Sequence, residues 1–119
     1  MTTIDPNDPT TWPDDLDAMI ASPDYHTLLM ENDRVRVLDT LIPPGQKTAV
    51  HTHRWPAVFH ILSWADFVRY DDQGSVMVDT RQNEGGDPPT ILWSEPIPPH
   101  ALENVGDADI HLISVELKD

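Results

Sequence analysis

The chain of 119 residues contains no cysteine, which excludes disulfides and thiolate metal sites. Basic residues are scarce: seven stand against 21 acidic residues, and the formal net charge is −14. Such a surface repels phosphate backbones, so we expect no nucleic-acid partner. No apolar run is long enough to span a bilayer, and no basic-then-apolar leader is present. We therefore expect a cytoplasmic protein without membrane contact.

Proline and glycine, by contrast, interrupt the chain often, with twelve prolines and five glycines. This spacing favours many short strands and turns over long helices, and the length fits one folded core. Residues 1–24 are predicted to form an N-terminal arm with a short helix over residues 11–21, which begins at Thr11 and ends before Pro23. Residues 25–119 are predicted to form one barrel domain.

From residue 25 onward the pattern predicts about nine or ten short strands, typical of an all-β sandwich or barrel. The clearest strand signals cover residues 25–30, 34–42, 48–53, 57–63, 66–70, 75–80, 90–93, 100–104 and 110–117. Residues 81–89 are predicted to form a loop, and the proline-rich segment 95–99 a turn. The residues interpreted as core are Phe59, Ile61, Leu92, Leu102, Ile113 and Val115.

Two histidines, His51 and His53, stand two residues apart in a run of β-forming residues after the turn at Gly45. Residues i and i+2 of a strand share a face, so both imidazoles are expected to point the same way. A third histidine, His100, lies about fifty residues later in another predicted strand. Two ligands from one strand and a third from a distant one can form a three-coordinate metal site in a barrel.

These motifs resemble those of the cupin superfamily of double-stranded β-helix (jelly-roll) barrels. Gly45, His51 and His53 match the spacing of the first cupin motif, and His100 with Asn104 matches the second. The resemblance covers residues 25–118. Over this range the chain is similar to small bacterial cupins of the β-alanine-degradation type. The sequence segments in which this similarity is seen are residues 31–37, 103–106 and 115–118.

Two elements of the first motif are missing. Its glutamate position falls at Ala57 or Val58, and its trailing glycine is replaced by Trp64 or Ala65. The resemblance then implies a divalent metal held by His51, His53 and His100. Neutral imidazoles leave the site with the full metal charge, which favours an anionic, chelating substrate. Iron is the preferred ion, and zinc, manganese, nickel and copper are alternatives.

Three functions follow from this reading. The first is a non-haem, oxygenase-type enzyme for a small metabolite. The second is a non-catalytic cupin that binds a small ligand or acts as a metabolic accessory protein. The third is a zinc-dependent isomerase or hydrolase. The resemblance also implies a homodimer, whose contact the apolar stripe of Leu16, Met19 and Ile20 would help to bury.

Several other residues have open roles. His60 is interpreted as a catalytic acid or base, an additional ligand, a hydrogen-bond donor to a ligand or a core residue. His26 and His111 are interpreted as structural. Asn104 either orients a ligand or caps a turn. The candidates for binding a substrate carboxylate are Arg36, Arg69 and Arg81, and those for walling an apolar pocket are Trp55, Trp64 and Trp93.

Overall fold

A computed structural model describes residues 3–82 and 89–118. The strands of this part of the chain are β1 (His26–Glu31), β2 (Val35–Ile42), β3 (His51–His53), β4 (Ala57–Ser63), β5 (Phe67–Asp71), β6 (Val76–Asp79), β7 (Ile91–Ser94), β8 (Ile97–Asn104) and β9 (Ile110–Leu117). They form two antiparallel sheets, ordered β1-β2-β9-β4-β7 and β3-β8-β5-β6. The predicted all-β fold is confirmed.

The long pair of β2 and β9 forms the centre of the five-stranded sheet, with an unbroken register from Val35↔Leu117 to Ile42↔Ile110. Alternate residues of both strands are buried, as a sheet with one covered face requires. The buried core between the two sheets consists of Ile42, Ile61, Phe67, Ile110 and Leu112. The inner face of this sheet therefore lines the interior of the barrel.

The phase of β9 differs from the prediction. Ile110 and Leu112 are buried, whereas Ile113 and Val115 are only half-buried on the opposite face. Apolar residues occupy both phases of this strand, so alternation alone did not decide which face points inward. Among the other predicted core residues, Ile61 is buried, and Phe59, Leu92 and Leu102 pack against the core.

The predicted single helix over residues 11–21 is wrong. Two 3₁₀ turns, Pro9–Thr11 and Asp14–Leu16, precede a four-residue helix α1, Ala18–Ala21. The break occurs because Asp17 caps α1: it has extended backbone angles, and its side chain accepts a hydrogen bond from the backbone N–H of Met19. In this conformation Asp17 also forms a β-bridge with Thr52 of β3.

The predicted turn at residues 95–99 is also wrong in part, because β8 begins at Ile97 and includes two prolines. Pro98 and Pro99 precede the stretch of β8 that pairs with β5, so their missing N–H groups cost no bond to β5. The pairing with β3 is irregular here, between His51↔His100 and His53↔Ile97. Most of the predicted 81–89 loop, at residues 83–88, lies outside the described residues.

Within the described ranges, no helix combines the length and apolar composition that a membrane crossing requires.

Candidate metal centre

Four histidine rings meet on the inner side of the barrel. One ring nitrogen each from His26, His51 and His53 lies within 4.8 Å of the others. His100 pairs directly with His51 across β3 and β8, and the centroids of these two rings are 4.3 Å apart. The ring of His100 also lies 5.5 Å from that of His53. The rings of the three predicted ligands are therefore neighbours. The three residues whose nitrogens lie within 4.8 Å of one another are, however, His26, His51 and His53.

His26 was interpreted as structural, but its ring lies inside this histidine cluster, 4.9 Å from His51 and 5.4 Å from His53 between centroids. It comes from the first residue of β1, where it pairs with Thr40 of β2. The cluster thus takes two members from β3, one from β8 and one from the opposite sheet. No sequence motif links His26 to the others, so spacing did not reveal it.

The hydrogen bonds of the cluster fix the tautomer of three rings. Nδ1 of His26 lies 2.8 Å from the carbonyl oxygen of Ser22, and Nδ1 of His51 lies 2.8 Å from that of Ala49. Nδ1 of His100 makes the same contact, at 2.8 Å, with the carbonyl oxygen of Pro98. A carbonyl oxygen only accepts, so each Nδ1 must carry the proton and donate it. Each Nε2 is then the nitrogen with a free lone pair, as a metal ligand requires.

Three rings of the cluster, those of His26, His51 and His100, are held in their uncharged form. The pKa of His26 is lowered to about 4, mainly because the ring is buried and secondly because of the charge of His53. Burial, followed by the neighbouring histidines, lowers the pKa of His51 well below its usual value. The pKa of His100 also lies well below the usual value. Burial is the largest cause, and the charges of His53 and Arg69 lower this pKa further. Neutral imidazole is the form that binds a metal ion.

The fourth ring, His53, has a charged partner. Its Nδ1 lies 3.4 Å from Oε2 of Glu116, whose other oxygen, Oε1, accepts a 2.6 Å hydrogen bond from Nε of Arg36. The remaining nitrogens of Arg36 bind both carboxylate oxygens of Asp17 at 2.9 Å. Asp17, Arg36 and Glu116 are all buried, and together they carry one net negative charge directly behind the histidine cluster.

The ionised state of this buried triad is maintained by its own contacts. Burial alone would raise the pKa of Glu116, but hydrogen bonds from His53 and Arg36 outweigh it and hold that pKa below the usual value. The same competition lowers the pKa of Asp17, where Arg36 outweighs burial. The pKa of Arg36 is raised despite its burial, because Asp17 and Glu116 bind it.

Glu116 stands beside the position where the cupin motif would place its glutamate. Of the two residues that could hold that position, Ala57 is buried on β4 and pairs directly with Glu116 of β9, whereas Val58 pairs with Val115. A carboxylate is thus present in the same cross-strand row, but it approaches from the neighbouring strand. The side chain of Glu116 contacts Nδ1 of His53. Sequence reasoning missed Glu116 because it belongs to neither motif.

A cavity of about 70 Å³ adjoins the cluster and is lined by all four histidines. The apolar part of its wall consists of Ile42, Phe59, Trp64, Phe67, Ile97, Leu102, Ile110 and Leu112. Four further polar side chains line it: Thr40, Thr48, Arg69 and Ser114. An apolar chamber with a few polar groups is the usual form of a small-molecule site.

The other charged and histidine candidates differ in whether they line the cavity. His60 is exposed on the outer face of β4 and does not line the cavity, so the structure does not bring it to the cluster. Of the three arginines, Arg36 is bound within the buried triad and Arg81 pairs with Asp79 at the surface, whereas Arg69 lines the cavity.

Of the aromatic and amide candidates, one lines the cavity and the others have different surroundings. Trp64 lines the cavity, whereas Trp55 lies against Arg36 and Trp93 is about half exposed. Asn104 caps a turn: its Nδ2 donates to the carbonyl oxygens of Ile42 and Ala108, and its Oδ1 accepts from the N–H of Gly106.

Comparison with known proteins shows which fold this is. The structure matches a cupin domain from Bordetella pertussis with a TM-score of 0.58 and 21% identity, over 79% of this chain and 92% of the other. It also matches an RmlC-like cupin with a double-stranded β-helix fold from Methanocaldococcus jannaschii, with a TM-score of 0.52 and 12% identity, over 77% of each chain. The chain has the cupin fold.

A double-stranded β-helix protein from Klebsiella pneumoniae matches this cupin fold with a TM-score of 0.52 and 21% identity, over 77% of this chain and 74% of the other. No protein-family model matches the chain, and no curated protein matches its sequence. The cupin barrel predicted from the two histidine motifs is confirmed, and its interior holds a histidine group able to hold a metal ion.

Proposed function

We propose that this cupin is a metal-dependent enzyme of the non-haem oxygenase type, acting on a small, anionic, chelating metabolite. The observation that carries the proposal is the hydrogen-bond pattern of the cluster. Three rings are held with protonated Nδ1, and the fourth is backed by a buried carboxylate. Rings fixed in the ligand tautomer around a mainly apolar cavity fit a metal site better than a hydrogen-bonded core.

The donor set fits a divalent first-row metal. Imidazole nitrogen suits iron, zinc, copper and nickel, and iron(II) is the ion proposed for an oxygenase. When bound, such an ion would supply Lewis acidity and, in the case of iron, chemistry with oxygen. The residues of the chain then have separate roles. His26, His51, His53 and His100 would hold the ion, Glu116 would orient His53, and the apolar wall would exclude water.

The proposal is tested by elemental analysis of protein purified without an affinity tag. We expect about one metal ion per chain in the wild type, and a large loss of bound metal in each of the variants His51→Ala, His26→Ala and His100→Ala. His60→Ala is the matched control, because it removes an exposed imidazole outside the cavity and should keep full metal content. Absence of bound metal under every loading condition would overturn the proposal. Equal metal loss in the control would show that the histidines bind the ion nonspecifically.

A further inference from the structure

Arg69 is the polar group of the cavity whose presence the metal site does not explain. Its side chain lines the cavity, and its Nε is inaccessible to solvent without a hydrogen-bond partner among the described residues. Burial lowers the pKa of Arg69, as expected for a cation removed from water without compensation. The nearest ring is that of Phe67, whose centroid lies 6.0 Å from the guanidinium carbon. The side chain of Arg69 is half-buried, and an anion in the cavity would give its enclosed Nε a partner.

A second polar atom of the same cavity is in a similar position. Oγ of Ser114 is buried and has no hydrogen-bond partner among the described residues. Ser114 lies on the inward face of β9, two residues before Glu116. A cation and a hydroxyl, both without partners and both facing one chamber, are suited to bind the oxygens of a ligand.

The strand register places Arg69 beside the histidine cluster. Arg69 of β5 pairs with Leu102 of β8, which lies two residues beyond His100 on the same face. Diagonal neighbours of this kind stand about 7–8 Å apart, within reach of an arginine side chain. The charge of Arg69 also acts on His100. One small molecule can therefore contact both groups.

We infer that Arg69 binds the carboxylate of the substrate, so that the ligand class is a compact hydroxy- or oxo-carboxylate. Its carboxylate pairs with the guanidinium and its neighbouring oxygen faces the histidine cluster. Guanidinium is planar and matches the two oxygens of a carboxylate. A chamber of about 70 Å³ favours a compact acid over an extended ligand. This inference rests on the proposed function, because the second oxygen needs the metal.

The test uses calorimetric titration of metal-loaded protein with glycolate, acetate and glycolamide. Glycolate has the carboxylate and the adjacent oxygen, acetate has only the carboxylate, and glycolamide is a neutral analogue of similar shape. We expect glycolate to bind at least about tenfold more tightly than either of the others, since a hydrogen bond to a charged group contributes about that much. Equal binding of glycolamide and glycolate would overturn the inference.

The matched variants are Arg69→Gln and Arg81→Gln, which change the net charge equally. Arg81 lies at the surface, paired with Asp79, so its replacement should leave glycolate binding unchanged. Arg69→Gln should weaken glycolate binding at least about tenfold, because it removes the charge that pairs with the carboxylate. It should keep full metal content, because Arg69 is not one of the clustered histidines. Arg69→Lys should recover only part of the affinity. Equal glycolate affinity in Arg69→Gln and the wild type would overturn the inference.

Metal content measured on the same samples separates the two proposals. If metal is bound and Arg69→Gln leaves glycolate affinity unchanged, the carboxylate site is overturned and the metal-dependent function stands. If no metal is bound, the proposed function fails. Titration of that metal-free protein with acetate then still tests Arg69: acetate binding that Arg69→Gln removes supports the carboxylate site, and its absence overturns it.

Discussion

At the scale of single residues, His53 differs from the other three clustered histidines in its partner. The Nδ1 atoms of His26, His51 and His100 face backbone carbonyls, whereas that of His53 faces the carboxylate of Glu116. A carboxylate behind a metal-binding imidazole makes the ring more basic and fixes its orientation. In the proposed metal site, the carboxylate of Glu116 on β9 would therefore act through His53 and would not be a ligand itself.

We predict that Glu116→Gln weakens metal affinity by about 10–100-fold, because glutamine keeps the shape of the side chain but not its charge. The measurement is a competition titration against a chelator, with folding checked by thermal unfolding. Glu103→Gln is the control: Glu103 accepts a hydrogen bond from the Tyr70 hydroxyl and does not contact the cluster. Metal affinity that stays at the wild-type value in Glu116→Gln would contradict the role given to Glu116.

The sequence predicted the site residues unevenly, for physical reasons. His51, His53 and His100 follow from two motifs, since fixed spacing on strands places side chains on one face. His26 could not be found in this way, because only the register of β1 on β2 brings it inward. Glu116 was missed because it belongs to neither motif, and because β9 has apolar residues on both faces, which leaves its phase undetermined.

At the scale of elements, the strands were more predictable than the N-terminal segment. Alternation and turn residues predicted the ends of most strands of the described chain to within a few residues. The exceptions are β3, which irregular pairing makes shorter than predicted, and β8, which also includes the proline-containing backbone before His100. The helix failed because Asp17 is used in tertiary contacts. It caps α1, bridges to Thr52 and binds Arg36 with both oxygens. Through Asp17, the N-terminal segment is joined to the buried triad.

These contacts make the stability of the protein depend on Asp17 and on pH. We predict that Asp17→Asn lowers the free energy of unfolding by about 3 kcal/mol at pH 7, because it leaves part of Arg36 unpaired in the interior. The folded pKa of Asp17 is depressed, so its stabilisation is present above the unfolded pKa of about 4. It is lost as the pH falls through the folded pKa.

The measurement is urea unfolding of both proteins at pH 7 and at pH 3. The difference between them should shrink at pH 3, because the wild type begins to lose the same charge. Asp14→Asn is the control, since the Asp14 side chain is 89% exposed and its pair with Arg54 should contribute little. A difference between the wild type and Asp17→Asn that is equal at both pH values would contradict this account.

At the scale of the whole molecule, edge strands of both sheets have exposed apolar side chains, and the longest consecutive run of them is on β1. β1 lies at the edge of the five-stranded sheet, and its residues Leu28, Leu29 and Met30 are 43%, 53% and 49% exposed. An exposed apolar edge strand invites pairing with another chain unless it is covered. The high net charge of −14 opposes nonspecific association, so a specific contact is favoured here. We propose that two copies of the chain form a homodimer across β1.

We predict that Leu29→Glu raises the dissociation constant of this dimer at least about tenfold, because a buried unpaired carboxylate destabilises an interface. Analytical ultracentrifugation over a range of concentrations measures it. Met77→Glu is the matched control: Met77 is 51% exposed on β6, in the other sheet, so this variant should associate like the wild type. A wild type that stays monomeric at every concentration would contradict the proposal. Since His26 begins β1, the same contact would hold in place the strand that carries one of the four clustered histidines.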